Sequence, residues 1–423
     1  MSIKGIVQKV VGQERLSTLK GQVLHYVCSL KLGRSGKLQI PGTRLSLHKE
    51  LTSPGYHVFR GYYDLQYMNA EKEIFLVHRL PVNAGSNRDT RIQIGYYDLH
   101  SLDFHKVSES YAWCWQQGSR LRWHPTKKNS VLFNDIDRET GSYCTRIVDI
   151  CTNEETEKIS WPLYDLASDF SYGLSLNYER LQRLRPGYGY NYYGDSTIDC
   201  PMPEDDGLFR IDIEKREARL LFSLKELASA GNVGDEKECY LNHISVSPDN
   251  QHFLFFLISR EPQIKGWDTV LFVADKSGES LRAIEKQDRV SHYCWMDNAH
   301  IMVTCHRKDN TEYYCVYDIF SGEKEILSIA NLDMDGHPNV YSTDEFITDT
   351  YPHDNSLQRI RFFTLQDNEA KTEMAIYHDY RLRGEKRCDL HPSVERDGRY
   401  IAIDTTYKAG RRSVLILSTR RDK

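Results

Sequence analysis

Four segments of this chain share one pattern, and the repeat limits the fold more than any other feature. HISVSPDNQHFLFF starts at His243, HYCWMDNAHIMVT at His292, HPNVYSTDEFITD at His337 and HPSVERDGRYIAID at His391. Each reads histidine, short strand, Asp-containing turn, apolar strand. The starts fall at intervals of 49, 45 and 54 residues, close to the roughly 40 to 50 residues of one four-stranded propeller blade. Degenerate copies lie upstream, where Tyr63 precedes a turn at Asn69, Arg120 precedes WHPTKKNSVLFND and Tyr164 precedes SDFSYGLSL. Seven units result.

Between these landmarks the chain offers short β-like runs such as EIFLVHRL, TVLFVAD and YYCVYDIF, bounded by turn residues. Helical periodicity is confined to residues 4–20 and 222–230. The expected architecture is all-β: a seven-bladed β-propeller over 55–423, with 1–54 as a basic N-terminal extension able to supply a closing strand. Length alone, 423 residues, would suggest about three domains, but the repeat assigns that length to a single ring.

Composition excludes several classes. No stretch approaches the roughly 18 uninterrupted apolar residues of a membrane span. The N-terminus MSIKGIVQKVVGQERLS has lysines but neither the apolar core nor the cleavage site of a signal peptide, so a cytoplasmic chain with reduced thiols is expected. Its ten cysteines sit singly, without the CxxC pairs of a structural zinc site or redox dithiol. The formal charge of −5 argues against a nucleic-acid binder. Residues 1–50 carry nine Lys/Arg against two Glu, a local +7 that leaves −12 elsewhere. This arm suits an acidic lipid surface (a peripheral association), a polyanion, or, the reading favoured here, the acidic body of its own chain. Tyrosine, at 27 residues against 15 Phe and 6 Trp, suits both strands and sugar-facing surfaces.

In a propeller the innermost strand of each blade lines the channel, and the residue opening it is expected at the channel mouth. That register gives a ring of Tyr63, Arg120, Tyr164, His243, His292, His337 and His391. One histidine at a strand end is usually structural, but four converging on one axis, near Asp335, Asp389 and Asn242, offer what Mn²⁺, Zn²⁺ or a similar ion requires. The competing reading is a hydrogen-bonded histidine belt that closes the propeller.

Other segments admit two readings each. RPGYGYNYY at 185–193 reads as an ordered loop over the mouth, either a sugar platform or a tyrosine-rich loop packed on its own protein. Gln116-Gln117-Gly118 offers amides for sugar hydroxyls or for buried backbone at a blade junction. Thr348-Asp349-Thr350-Tyr351 is expected away from the mouth, in a structural role. Glu204-Asp205-Asp206 reads as a solvated acidic tip rather than a glycosidase pair. Phosphate-loop, dinucleotide, HExxH and GxSxG motifs are lacking.

The phrases SHYCWMD, DGHPNVYSTDEFITD and LHPSVERDGRYIAID resemble blade motifs of oligogalacturonate lyases, cytosolic seven-bladed propellers with a divalent metal on channel histidines. The likeness covers mainly residues 240–405. FRGYYD at 59–64, WCWQQGSRLRW at 113–123, RPGYGY at 185–190 and CDLHP at 388–392 resemble lyase-related propellers that accompany bacterial surface-polysaccharide genes. The chain departs from the lyase pattern in its last blade, with a single Leu390-His391-Pro392 where a doubled His-Pro is expected.

The resemblance implies β-elimination on a 4-linked uronate of an acidic oligosaccharide or polysaccharide. It implies a divalent metal, manganese first and zinc or calcium otherwise, on His292, His337 and His391. His243 would be the base, Arg120 and Arg185 would grip the carboxylate, and Tyr188 would stack on sugar or act as acid. Gln116, Gln117, Tyr63, Tyr164 and Tyr190 would line the substrate. The alternatives are a non-catalytic glycan-binding or scaffold propeller in surface-polysaccharide biosynthesis, or a hydrolase or epimerase acting on the same sugar.

Overall fold

The computed structural model describes residues 44–419, apart from 86–87, 263–265, 353–355, 380 and 409, plus a few isolated positions before residue 44. The helix expected over 4–20 and most of the basic arm lie outside the described residues.

The described chain forms seven four-stranded antiparallel sheets. Blade 1 comprises Tyr56–Phe59, Ile74–Pro81, Ile92–Asp98 and Phe104–Ser110, and blade 2 Arg122–Trp123, Ser130–Asp137, Ser142–Asp149 and Glu154–Ile159. Blade 3 is built from Asp165–Leu166, Tyr172–Ser175, Gly207–Asp212 and Glu217–Ser223, and blade 4 from Glu238–Val246, His252–Arg260, Asp268–Asp275 and Leu281–Glu285. Blade 5 has Arg289–Trp295, His300–His306, Glu312–Asp318 and Lys324–Ile326, and blade 6 Asn339–Val340, Glu345–Asp349, Leu357–Thr364 and Lys371–Tyr377. Blade 7 takes Ser393–Glu395, Tyr400–Thr405 and Ser413–Thr419 from one end of the chain and Leu45–Leu51 from the other. The strand within the basic extension therefore closes the ring, pairing Leu45 with Thr419 through Leu51 with Val414.

Blades are covered on both faces by their neighbours, so their middle strands read as apolar runs instead of alternating. Phe253, Leu254, Phe255, Phe256 and Leu257 are all fully buried. The junction of first and last blades is welded by a buried guanidinium. Arg60 pairs with Asp404 and donates through Nη2 to the carbonyls of Leu390 at 3.1 Å and His391 at 2.6 Å. Glu395 Oε2 reaches back to accept the Tyr67 and Met68 amides at 3.1 and 3.0 Å.

Helices are scarce, as expected. Helix α1 (Tyr178–Leu184) lies in a long excursion, residues 176–206, between the second and third strands of blade 3. Seven residues are too few to show periodicity in the sequence. Helix α2 (Leu224–Ala230) lies in the expected 222–230 segment, and its start is written in the sequence as a capping box of Ser223 and Glu226. Because successive strands run antiparallel, the turns joining second to third strands and the links between blades fall on one face. The 176–206 excursion stands on that face, over the channel.

Candidate functional site

Arg120, Tyr164, His337 and His391 stand one or two residues ahead of their innermost strands and Tyr63 follows Tyr56–Phe59, whereas His243 and His292 sit partway along theirs. His243 lies within Glu238–Val246 where the register slips between Asn242 and Ser245, and His292 within Arg289–Trp295 where it slips between Val290 and Tyr293. Arg120, His243 and His391 adopt left-handed φ of +55°, +56° and +48°. Such bulges break the ladder and re-aim a side chain, here toward the axis. All four histidines, His337 included, lie inside the channel, between 1% and 5% exposed, instead of at its rim.

They do converge. The His292 and His337 rings lie 4.0 Å apart, those of His337 and His391 4.4 Å, and those of His243 and His292 5.8 Å. Each of the three later rings has its Nδ1 committed. Nδ1 of His292 faces Asp335 Oδ1 at 2.9 Å, that of His337 faces Asp349 Oδ1 at 2.8 Å, and that of His391 faces the Gly61 carbonyl at 3.1 Å. Acceptors at Nδ1 place the proton there and leave the lone pair on Nε2. Nε2 of both His337 and His391 is buried without a hydrogen-bond partner, an arrangement that costs about 1–3 kcal/mol per group unless a ligand meets it. One ligand atom each from His337, Asp389 and His391 lie within 4.8 Å of one another. Imidazole nitrogens with one carboxylate in reach fit a divalent transition ion.

Carboxylates orient this cluster. Asp335 accepts from Ser291 and Thr304 at 2.7 Å each and pairs with His306 Nε2 at 3.2 Å. Burial opposes its charge, but His292 and His306 hold its carboxyl well below the usual range. Burial, reinforced by neighbouring imidazoles, pushes His243 and His391 far down and His292 down. Burial also acts against charge on His337, yet Asp349, bonded to its ring, outweighs it and raises that histidine. The Asp349 finding corrects the expectation that 348–351 is remote from the site. Tyr351 of the same segment places its hydroxyl 3.4 Å from His292 Nε2.

Two tyrosines on one loop plug the channel. The innermost strand of blade 1 is interrupted over 60–66, and the Tyr67 hydroxyl staples that excursion by accepting from the Tyr62 amide and donating to its carbonyl. Gly61 permits it: φ is +133°, and an added Cβ would meet the Gln117 carbonyl at 2.9 Å. Tyr62 packs 4.6 Å from His391 and 5.6 Å from His243, with its hydroxyl 3.4 Å from His243 Nδ1. Sequence reasoning singled out Tyr63 and missed Tyr62, although the Tyr62-Tyr63 doublet was visible.

Several expected substrate contacts are spent on the scaffold. Arg120 is locked to Asp64 by two bonds, at 3.2 and 2.9 Å, and donates to the Tyr164 carbonyl at 2.8 Å, so it has no guanidinium fork to offer a ligand. The Tyr63 hydroxyl donates to the Tyr293 carbonyl at 2.7 Å. The Tyr164 hydroxyl donates to Asn242 and accepts from Gln117 and the His243 amide. Tyr190 is stacked on Tyr178 at 4.1 Å and 1% exposed. Gln116 donates to the Arg387 carbonyl at 2.8 Å and Gln117 to the Tyr164 hydroxyl at 2.7 Å, while the Oε1 atoms of both are buried without a hydrogen-bond partner.

Arg185 and Tyr188 are placed differently. With Gln116, Tyr240, Trp267 and Arg387 they line a cleft of about 550 Å³ on the face carrying the excursion. The Tyr188 ring lies 6.2 Å from that of His243, linking cleft and cluster. Arg387, missed in the sequence, grips Asp389 with two nitrogens at 2.8 Å. Arg185 lies over Trp267 at 4.3 Å and, among the described residues, has no carboxylate partner.

Fold and cluster together define a seven-bladed propeller with a histidine-rich channel. Among solved structures, the chain is similar to an oligogalacturonate lyase in complex with manganese, at TM-score 0.62 and 14% identity, covering 91% of this chain and 99% of that one. It is likewise similar to an oligogalacturonate lyase from Vibrio parahaemolyticus, at TM-score 0.59 and 12% identity over 90% and 98%. These neighbours show the fold expected from the resemblance. A tricorn protease also matches, at TM-score 0.51 and 9% identity over 88% of this chain and 35% of that one, so the propeller alone does not choose a chemistry. No family model and no curated protein matches the sequence. No helix among the described residues is long and apolar enough to cross a membrane.

Proposed function

We propose that this chain is a metal-assisted lyase that cleaves a 4-linked uronate-containing oligosaccharide or polysaccharide by β-elimination in the cytoplasm. The observation that carries the reading is the pair of buried, unpartnered Nε2 atoms on His337 and His391 beside His292, next to a cleft bearing Arg185. A divalent ion held by His292, His337 and His391, with Asp389 in reach, would supply the Lewis acidity that neutralises a uronate carboxylate and acidifies its C5 proton. Manganese is the first choice, supported by the solved neighbour that contains it.

The chain's own groups divide the remaining work. Arg185 binds the carboxylate with a planar guanidinium. His243, held neutral by burial, takes the C5 proton on one ring nitrogen while Tyr62 fixes the other. Tyr188 packs against the sugar and returns a proton to the leaving oxygen. The second reading is a non-catalytic glycan-binding propeller, favoured by the internal commitment of Arg120, Tyr63 and Tyr164. The basic arm would pack on the acidic body of its own chain, with peripheral association to an acidic surface as the alternative.

The test is near-ultraviolet absorbance of an unsaturated uronate across a panel of uronate oligomers with Mn²⁺, with elemental analysis of wild type and His337→Ala. Cleavage, with metal lost in the variant, is expected. Metal-loaded protein that binds uronates and cleaves none would leave the binding reading in its place.

A further inference from the structure

A second cavity, of about 460 Å³, opens between blades 2 and 3 on the same face as the cleft. Its aromatic wall is Trp161 and Phe209, half-buried rings 5.2 Å apart, with Tyr143 beside them. Its polar wall carries Glu179, Asp205 and Asp206 with serine and threonine hydroxyls, and among the described residues no Lys or Arg lines it. The acidic segment expected to be a solvated tip is thus partly interior: Asp206 is 6% exposed, accepting from Asn177 Nδ2 and the Gly207 amide at 2.8 Å each. Glu179 has no hydrogen bond to another side chain among the described residues. Burial, with Asp206 and Asp195 nearby, pushes its carboxyl up to about 7, so near neutral pH it both donates and accepts.

This is the chemistry of a polyhydroxylated ring: aromatic faces for C–H surfaces, and carboxyl and hydroxyl groups for vicinal hydroxyls. A uronate or a phosphate would meet carboxylates and no cation. We propose that this cavity is a binding site for an uncharged pyranose unit, gripped by Trp161 and Phe209 on one side and Glu179 on the other. Helix α1 joins it to the cleft, since Asn177 and Glu179 at one end line the cavity and Leu184 and Arg185 at the other line the cleft. Seven residues at 1.5 Å each separate them by about 10 Å, a gap that a short oligosaccharide spans. Occupancy by the same glycan, one mixing acidic and neutral units, rests on the function proposed above; the cavity's own preference does not.

The experiment is calorimetric titration of the full chain with neutral gluco-, galacto- and manno-configured trisaccharides. At least one is expected to bind, at least tenfold more weakly to Trp161→Ala and several-fold more weakly to Glu179→Gln. Trp161→Phe, which keeps a smaller aromatic face, should recover part of the affinity lost in Trp161→Ala, and added chelator should leave the binding unchanged. Circular dichroism checks folding, and should Trp161→Ala misfold, Glu179→Gln and Trp161→Phe decide. Absence of binding by all three probes, or undiminished binding by Trp161→Ala or Glu179→Gln, overturns the proposal. Uronate cleavage is scored separately, so either reading can fail alone.

Discussion

Asp349 accepts both the backbone amide and the Nδ1 proton of His337 at 2.8 Å with one oxygen, and the His391 amide at 3.0 Å with the other. One buried carboxylate on blade 6 thereby sets the position of two imidazoles from adjacent blades. Outer carboxylates of this kind typically contribute 10- to 100-fold to metal affinity. Asp349→Ala should lower Mn²⁺ affinity by about that factor, and Asp349→Asn, which keeps the acceptor oxygen for one amide, by less. Competition against a fluorescent chelator measures it, and equal affinities in all three proteins would remove Asp349 from any orienting role.

Arg120 and Asp64 form an ion pair in which the guanidinium side chain is 1% exposed and the carboxylate 10%. Removing one partner of such a pair leaves an uncompensated buried charge, at a cost of about 3–5 kcal/mol. Arg120→Ala should therefore lower the urea midpoint by that equivalent, while Arg120→Met combined with Asp64→Leu recovers most of it. The pair stands apart from the cleft, so the double variant should keep saccharide affinity. A double variant as unstable as the single one would show that the pair does more than neutralise itself.

The blade count and the convergence of four histidines were legible because a radial fold turns a sequence period into a shared axis. Depth was not legible. A single-residue bulge, as at His243, moves a side chain from strand entrance to mid-channel without altering the period, and left-handed φ at Arg120 or His391 leaves no mark on residue type. Fates of polar side chains were equally hidden: Arg120 and Arg185 look alike in sequence, but one meets Asp64 from 56 residues away and the other lies over the aromatic faces of Tyr188 and Trp267. Asp349 was discounted because a strand end after a turn was expected far from the mouth, whereas the site lies inside the channel, at the level where second strands also reach.

His306 provides a pH signature. Burial disfavours its charge, but bonds to Asp335 and Glu312 outweigh this and raise it to about 9. A histidine raised above its unfolded value near 6.5 stabilises the fold fully below that pH and loses the contribution as pH rises through about 9. The ceiling is about 3 kcal/mol at 1.36 kcal/mol per unit, reduced because Glu312 is 30% exposed. Wild type should lose stability between pH 6.5 and 10, and His306→Gln should show a flatter curve by denaturant titration. Parallel curves would assign the loss to other groups.

Burial pushes the thiols of Cys114, Cys144, Cys239, Cys294 and Cys388 up to about 12, while Cys151 and Cys200 are exposed. Thiolate is the reactive form. Replacing Cys151 and Cys200 by serine should remove two fast-reacting thiols from the native protein in a disulfide-exchange assay, with the buried set appearing only on unfolding. Fast labelling of Cys294, inside the channel wall, would mean that blade 5 opens in the native state.

Arg185 tests whether the cleft reads charge. Its guanidinium is stacked against Trp267 at 4.3 Å and Tyr188 at 5.3 Å, which fixes its plane while leaving in-plane donors for a ligand. Arg387 in the same cleft is already committed to Asp389, so the two arginines should respond differently. A charge-assisted hydrogen bond contributes about 1.5–3 kcal/mol, and Arg185→Ala should weaken binding of an acidic trisaccharide by roughly 10- to 100-fold. Arg185→Lys should recover part of this, since a point charge replaces a planar fork. Arg387→Ala should instead disturb metal content, by releasing the carboxylate beside His391. Titration of each variant in low and high salt separates the two, because loss of an exposed charge contact also reduces salt sensitivity. Equal affinity of Arg185→Ala for the acidic trisaccharide would place its recognition elsewhere on the propeller.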